Sequence, residues 1–230
     1  YDIIKNIYIE KYNFNKELDK LHTLLDTDKI SIEDKKFYND IPIFGQTDRN
    51  SIFIKDFYMY YDTNPILKNK YMEFVKKNIK PAFGNEHLVI QKTPNLRVHI
   101  PNNSNIGKRK SDPNDSIIGL HYDRELGHPI EELNVIVAIT DMYNTNSIYY
   151  EPFPNSYLQC NHYNNLQLKK NNYWYGNLNQ CKHYNKINLT NKTRISLDFR
   201  IIPYSKYKKT QNKSVTFNNK FIIDDYYILI

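Results

Sequence analysis

Apolar residues recur at helical spacing in the first third of the chain. Residues 13–28 carry one such stripe, which predicts a helix. The stripe consists of Phe14, Leu18, Leu21 and Leu25. A second helix is predicted over residues 64–80, because Asn64 suits the N-cap, Pro65 suits the first helical position and Pro81 ends the run. Both stripes are interpreted as faces that pack on a core.

From about residue 87 the pattern changes to short extended runs separated by turn-rich loops. The predicted strands are 87–93, 95–100, 117–123, 133–140, 147–151, 173–183, 193–202 and 215–222. Several short strands at this spacing indicate a sandwich or barrel. The polar stretch 101–116 is predicted to be a mobile loop. We therefore expect one continuous domain, in which a helical and extended region (residues 1–86) packs on a β core (residues 87–230).

Four of the predicted strands alternate apolar and polar residues, so each has one polar face. Their polar members are Arg97 and His99; His121 and Asp123; Ser147, Tyr149 and Glu151; and Arg194, Ser196, Asp198 and Arg200. One interpretation is half-exposed strands with polar faces in water. The other is a jelly-roll whose polar faces line a central cavity. We favour the cavity, because these residue types differ from the Lys and Asn that dominate the rest of the chain.

The pair His121 and Asp123 is the strongest candidate for chemistry. Side chains two positions apart on an extended segment share a face, so the imidazole and the carboxylate point the same way. A distant second histidine, His183, can complete a set of two imidazoles and one carboxylate, which suits Fe(II) in non-haem oxygenases. Arg194 follows His183 by eleven residues, a separation that predicts two neighbouring antiparallel strands joined by a turn, and Ser196 shares the face of Arg194. These two supply a cationic fork and a hydroxyl for a carboxylate cosubstrate.

Composition narrows the function classes. The 230 residues carry a formal net charge of +7, but the Lys residues are spread along the chain. We attribute the charge to compositional bias, so nucleic acid is not expected as a partner. Six glycines argue against a glycine-rich nucleotide loop, and no run approaches the roughly 20 apolar residues of a membrane span. No targeting segment is visible, which favours a cytoplasmic location; a trimmed start before Tyr1 is the alternative.

The chain resembles the Fe(II)/2-oxoglutarate-dependent dioxygenases with a double-stranded β-helix. Within them it is most similar to the StrG-type oxygenases of streptomycin biosynthesis. The resemblance covers about residues 90–203. It is carried by QKTPNLRV at 91–98, GLHYDRELGH at 119–128, NVIVAIT at 134–140, TNSIYYEP at 145–152, HYN at 183–185 and RIIP at 200–203. It implies a mainly β, cupin-like jelly-roll with flanking helices.

The resemblance also implies cofactors and site residues. Fe(II) would be held by His121, Asp123 and His183, and 2-oxoglutarate would meet Arg194 with help from Ser196. The expected reaction is hydroxylation of a small polar substrate by O2, with a sugar or phosphorylated sugar as the suggested class. The candidates for the substrate pocket are Arg97, Tyr149, Glu151 and Arg200, with Glu151 expected to pair with one of the arginines.

Three alternatives stay open at this point. A protein or nucleic-acid hydroxylase of the same superfamily would use the loop 101–116 as a docking lip. A non-catalytic, metal-binding jelly-roll module would keep the fold without the reaction. A cupin-type metal isomerase would not need Arg194 and Ser196 at this offset from His183. The sequence does not predict an oligomeric state.

Overall fold

Helices occupy most of the first third of the chain as far as it is described. A computed structural model describes residues 1–39, 51–103, 119–154, 162–214 and 218–230. The helices in these ranges include α1 (Asp2–Tyr12), α2 (Ile32–Asn39), α3 (Ile52–Thr63), α4 (Pro65–Phe74) and a 3-10 helix (Leu18–Asp26). A π-helical turn, Val75–Ile79, and a short 3-10 helix, Lys80–Phe83, continue α4 toward the strands. None of the described helices combines the length and apolar character that a bilayer-spanning helix needs.

The start of α4 is the predicted one. The Asn64 side chain accepts a hydrogen bond from the Ile66 backbone N–H at 2.8 Å, and Pro65 occupies the first helical position. The predicted helix over residues 13–28 was wrong in type and extent. Asn13 has φ 50° and ends α1, because this left-handed conformation cannot continue a right-handed helix. The apolar stripe that follows forms the 3-10 helix Leu18–Asp26 instead.

Two antiparallel sheets make up the rest of the described structure. Their strands are β1 (Leu88–Gln91), β2 (Asn95–His99), β3 (Leu133–Ala138), β4 (Ile148–Tyr150), β5 (Asn164–Asn165), β6 (Tyr173–Gly176), β7 (His183–Asn185), β8 (Arg194–Pro203) and β9 (Tyr227–Leu229). The large sheet has the order β6-β3-β8-β1-β9, and β2 pairs with the part of β8 that β1 leaves uncovered. The small sheet has the order β5-β4-β7. The described strands are therefore mainly antiparallel and do not close into a barrel.

The ten-residue strand β8 is the centre of the large sheet. One edge pairs with β3 from Leu133↔Ile201 to Ala138↔Ser196, and the other pairs with β2 and β1. Its residues alternate as predicted between two faces. The apolar face, Ile195, Phe199 and Ile201, belongs to the main core, where residues of α1, α3, the 3-10 helix and α4 also pack. The N-terminal helices and the large sheet thus share one hydrophobic core.

Several predicted strands are shorter or divided. Residues 173–183 do not form one strand, because β6 lies in the large sheet and β7 in the small sheet. Of the predicted strand 117–123, the described part contains only an isolated bridge at His121. Of the predicted strand 215–222, the described part contains only one bridge residue, Lys220, which pairs with Lys213. The predicted loop 101–116 lies outside the described residues from position 104 onward.

Candidate metal centre

His121 and His183 are direct cross-strand neighbours. They form an isolated antiparallel bridge in which His121 N–H donates to His183 O at 3.2 Å and His183 N–H donates to His121 O at 3.0 Å. Residues paired in this way point their side chains to the same side. The two ring centroids are consequently 4.5 Å apart. The backbone pairing, rather than sequence proximity, brings the distant histidine to the first one.

Asp123 lies on the same side as the two imidazoles. A 3-10 helix (Asp123–Leu126) begins at this residue, directly after the bridge. One carboxylate oxygen, Oδ1, is 3.6 Å from His121 Nε2 and 3.4 Å from His183 Nε2. The three candidate ligand atoms all lie within 4.8 Å of one another. The structure therefore brings together the three residues that the sequence singled out.

The other nitrogen of each ring is held by the backbone. His183 Nδ1 is 3.0 Å from the Cys181 carbonyl oxygen, and His121 Nδ1 contacts the Gly119 carbonyl oxygen. With Nδ1–H donating to these carbonyls, both Nε2 atoms face Asp123. Gly119 has φ 76°, a conformation that glycine adopts without steric cost. The turn at Gly119 thus helps to fix the orientation of the His121 ring.

The second carboxylate oxygen of Asp123 is engaged on the opposite side. Arg200 Nη2 donates to Oδ2 at 2.6 Å and Asn134 Nδ2 donates to it at 2.7 Å. Burial alone would raise the pKa of Asp123, but the Arg200 charge and the two imidazoles outweigh burial and hold the pKa well below its usual value. Asp123 is therefore an anion at neutral pH although it is buried.

His183 responds to the same carboxylate. Burial would lower the pKa of His183, but the contact with Asp123 outweighs burial and raises the pKa above its usual value. A metal ligand must be a neutral imidazole, so binding of a divalent cation here competes with protonation of His183. The donor set, with two imidazoles and one carboxylate, is one that suits a divalent transition metal.

A cleft of about 560 Å³, including its mouth, opens at the three clustered side chains. The polar face of β8 supplies much of its wall. The β8 residues that line it are Arg194, Ser196, Asp198 and Arg200. Arg194 and Ser196 are each only 1% exposed, so they form the interior of the wall and not its rim. Arg194 and His121 line the same cleft, as the alternation in the sequence predicted.

The route by which Arg194 reaches His183 differs from the prediction. Residues 183 and 194 were expected on neighbouring antiparallel strands joined by a turn. Instead, β7 pairs with β4 in the small sheet, whereas β8 pairs with β1, β2 and β3 in the large one. The connection between β7 and β8 crosses from one sheet to the other. Asn188 stabilises this connection, because its Nδ2 donates to the carbonyl oxygens of His99 and Lys192. The side chains meet in the cleft that the two sheets share.

The arginines predicted for the substrate pocket have different surroundings. Arg97 lines the cleft and its Nε–H donates to Asp198 Oδ2 at 3.1 Å. Arg200 also lines the cleft, but its guanidinium contacts Asp123 at 2.6 Å and lies 3.4 Å from Asp198 Oδ1. Arg97 is one-third exposed as a side chain, whereas Arg200 is almost completely buried. Of the two, Arg97 is the one placed to meet a molecule that enters from solvent.

Tyr149 and Glu151 lie outside the lining of the cleft as far as the structure describes it. Strand β4 turns its apolar residue Ile148 toward the cleft, so the predicted sense of its alternation was wrong. Tyr149 stacks on Tyr184 with ring centroids 5.4 Å apart. Glu151 does not pair with an arginine among the described contacts; its Oε2 accepts a hydrogen bond from the Lys182 backbone N–H at 2.8 Å.

Two asparagines of the site were missed by sequence reasoning. Asn134 contacts Asp123, and its side-chain oxygen accepts a hydrogen bond from the Asn179 backbone N–H at 2.9 Å. Asn185 lines the cleft next to the β7 histidine. The signal for Asn134 was its place in the strand 133–140, where the residues from 135 to 139 are all apolar. A polar side chain beside such a run needs a buried partner. For Asn185 the sequence contained no comparable signal, because Asn is frequent throughout the chain.

His99 is a further buried titratable group beside this wall, paired across the strands with Arg194. Burial, reinforced by the Arg194 charge, lowers its pKa to about 3. The unfolded chain binds a proton near pH 6.5 that the folded protein excludes, so stability is expected to fall as the pH drops below about 6.5, by roughly 1.4 kcal/mol per pH unit. The loss should stop near the folded pKa of about 3.

Urea unfolding of the wild-type protein and His99→Gln at pH 7 and pH 5 checks this expectation. The variant should lose less stability between the two values, by about 2 kcal/mol. Equal losses in the two proteins would mean that His99 accepts a proton in the folded state.

Comparison with known proteins gives one clear similarity in sequence. The chain is 26% identical over 184 residues to the streptomycin biosynthesis protein StrG of Streptomyces griseus, which covers 79% of this chain and 78% of that protein. No protein-family model matches the chain. The identity is too low to assign the chain to a family by itself.

Solved structures show a weaker likeness. The nickel complex of the non-heme monooxygenase ThoJ has a TM-score of 0.40 at 18% identity; the match covers 51% of this chain and only 45% of ThoJ. HygX from Streptomyces hygroscopicus, solved with nickel and 2-oxoglutarate bound, has a TM-score of 0.35 at 13% identity, and the match covers 75% of this chain and 87% of HygX.

Proposed function

We propose that the protein is an Fe(II)- and 2-oxoglutarate-dependent oxygenase that hydroxylates a small polar molecule. The observation that carries the proposal is the convergence of two histidines and one buried carboxylate on a cleft whose wall also contains a buried arginine and serine. A metal site alone is common to many functions. A metal site with a built-in cationic fork is the combination that binds a metal-chelating dicarboxylate.

The three clustered side chains fit a divalent cation. Each offers one atom to the same small space: Nε2 of His121, Nε2 of His183 and Oδ1 of Asp123. The outer nitrogens of both rings are already hydrogen bonded, as is usual for histidine ligands. Two imidazoles and one carboxylate leave coordination positions open, which is the arrangement that suits Fe(II) in oxygenases.

Arg194 and Ser196 are proposed to bind 2-oxoglutarate. Both lie on the β8 face that lines the cleft and both are buried, so a carboxylate that reaches them is shielded from water. The guanidinium offers two parallel donors to one carboxylate, and the serine hydroxyl offers a third. In this reading the far carboxylate of the cosubstrate meets β8 while its other end meets the cation.

The chain's own part in the reaction is binding, orientation and exclusion of water. When bound, Fe(II) and 2-oxoglutarate supply the oxidation chemistry, in which O2 is consumed and succinate and CO2 are released. Arg194 and Ser196 orient the cosubstrate, and the buried wall keeps competing water away. Ile136, Ile148 and Leu178 give the cleft apolar patches beside the polar groups. These patches suit the carbon skeleton of a substrate that is held close to the site of oxidation.

A small substrate fits the cleft better than a macromolecule does. The space is enclosed between two sheets, and its polar groups at the more exposed side are Arg97 and Asn185. Similarity to a streptomycin biosynthesis protein points the same way. A guanidinium and an amide are suitable partners for hydroxyl or phosphate groups, so we propose a polyhydroxylated molecule such as a sugar or sugar phosphate.

The fold proposed for the core is the double-stranded β-helix. Two antiparallel sheets that face a shared polar cleft, with helices packed on the apolar side of the large sheet, support this interpretation. Within it, residues 1–86 would stiffen the large sheet from outside and residues 87–230 would form the core.

The test is a titration of 2-oxoglutarate into the protein loaded anaerobically with Fe(II), followed by the metal-to-ligand charge-transfer absorption of the ternary complex. We expect a saturable band, and formation of succinate when O2 is admitted. Metal binding without the band would contradict the cosubstrate and favour a metal-binding module without this reaction. Absence of metal binding would contradict the whole proposal.

A further inference from the structure

Asp123 has two carboxylate oxygens with separate surroundings. Oδ1 faces His121 Nε2 and His183 Nε2 at 3.6 and 3.4 Å. Oδ2 instead receives hydrogen bonds from Arg200 Nη2 at 2.6 Å and Asn134 Nδ2 at 2.7 Å. One oxygen of the carboxylate therefore points to the proposed metal position, and the other accepts hydrogen bonds from two donors of the protein.

Arg200 is in turn held from its other side. Its Nη1 lies 3.4 Å from Asp198 Oδ1, and Asp198 Oδ2 accepts a hydrogen bond from Arg97 Nε at 3.1 Å. Charges thus alternate along the wall from Arg97 to Asp198, Arg200 and Asp123. Asn134 is fixed as well, because its side-chain oxygen accepts from the Asn179 backbone N–H at 2.9 Å. Neither donor can turn away from Asp123 without losing another contact.

On this basis we propose that Arg200 and Asn134 are positioning residues that make Asp123 bind the metal through Oδ1 alone. The inference rests on the proposed metal site. Binding through both oxygens would require Oδ2 to give up a charge-assisted hydrogen bond, and such bonds contribute more than neutral ones. Single-oxygen binding would leave more of the cation accessible to cosubstrate or O2. Arg200, which the sequence suggested for the substrate, is thereby assigned to the metal ligand.

The positioning role and simple electrostatics predict opposite effects of Arg200→Gln on metal affinity. Arg200 is a positive charge near a cation site, so on charge alone Arg200→Gln should strengthen metal binding. If Arg200 positions Asp123, the same change should weaken Mn(II) binding, by roughly 10- to 100-fold, as is usual for loss of an outer partner of a ligand. Arg97→Gln is the matched control: it removes one positive charge from the same wall but leaves the Arg200 and Asn134 contacts with Asp123 in place. Its affinity for Mn(II) should be unchanged or higher.

Mn(II) affinity is measured by anaerobic calorimetry, with thermal unfolding of the metal-free proteins recorded in parallel. Asn134→Ala should weaken binding in the same direction as Arg200→Gln and by less, since it removes a neutral donor. Arg200→Lys keeps the charge but not the planar fork, so its Mn(II) affinity should lie between those of Arg200→Gln and the wild-type protein. If Arg200→Gln does not fold, the Mn(II) affinities of Asn134→Ala and Arg200→Lys test the positioning role instead.

A crystal structure of the wild-type protein with Mn(II) completes the test. We expect Oδ1 of Asp123 on the metal and Oδ2 still on Arg200 and Asn134. Oδ2 on the metal, or wild-type affinity in both Arg200→Gln and Asn134→Ala, would overturn the positioning role while leaving the metal site in place. Failure of the wild-type protein to bind Mn(II) would overturn the site itself and this inference with it.

Discussion

Replacing His121 with alanine is expected to abolish Fe(II)-dependent turnover of 2-oxoglutarate while leaving the protein folded. The substitution removes one of the three proposed ligand atoms, so metal affinity should fall by more than the roughly 10- to 100-fold typical of an outer partner. His121 is partly exposed at the cleft, and its imidazole contacts the Gly119 carbonyl, the Asp123 carboxylate and the His183 ring. Its loss leaves no buried charge without a counterion.

Asp123→Ala should lose metal binding and stability together. Among the described ion pairs, the buried Arg200 guanidinium would keep the longer one with Asp198, and breaking a buried charge pair costs about 3–5 kcal/mol. The measurements are Fe(II) titration, succinate formation and urea unfolding. His87→Ala, an exposed histidine whose ring contacts the Ile230 carbonyl, is the matched control and should change none of them. Retained turnover in His121→Ala would exclude His121 as a ligand.

Replacing Arg194 with lysine is expected to weaken 2-oxoglutarate binding by roughly ten-fold or more, with Fe(II) binding nearly unchanged. Lysine keeps the positive charge but cannot offer two parallel donors in one plane. Hydrogen bonds to charged groups contribute about 1.5–3 kcal/mol each, and loss of one accounts for a factor of this size. Arg194 is 1% exposed, so water cannot replace the missing donor.

The binding constant comes from titration of 2-oxoglutarate into the anaerobic Fe(II) protein. Ser196→Ala, two residues along the same face of β8, should weaken binding by less, since it removes one neutral donor. Fe(II) affinity and unfolding free energy are the controls in both variants. Equal binding of 2-oxoglutarate by the wild-type protein and Arg194→Lys would show that Arg194 is structural and that the cosubstrate binds elsewhere.

The sequence predicted the fold best where a strand has one apolar and one polar face. Both faces of β8 were predicted correctly, because alternation of Ile and Phe with Arg, Ser and Asp separates the side that packs into the apolar core from the side that lines the cleft. It failed for residues 173–183, where the chain leaves one sheet and enters the other. Sheet membership depends on long-range pairing, and local periodicity contains no information about it. The start of the first predicted helix was wrong for a local reason, because the left-handed Asn13 ends α1 there.

For the site, the sequence predicted which residues meet but not what each one contacts. His121, Asp123 and His183 do cluster, and Arg194 and Ser196 line the same cleft. Arg200 lines the cleft as predicted and also contacts Asp123, a contact that the alternation of a strand does not reveal. Tyr149 was misplaced because a three-residue strand such as β4 is too short for its alternation to fix the buried side.

The alternation of β8 also limits how this protein can change over evolutionary time. Because side chains repeat every two residues, gain or loss of a single residue inside the strand would turn the arginines into the apolar core and the isoleucines into the cleft. Such length changes would remove fold and activity at once. New specificities are therefore expected to arise by substitution at partly exposed cleft positions such as Arg97, or by length changes in exposed connections between strands. Among natural relatives, insertions and deletions should avoid β8 and gather in those connections.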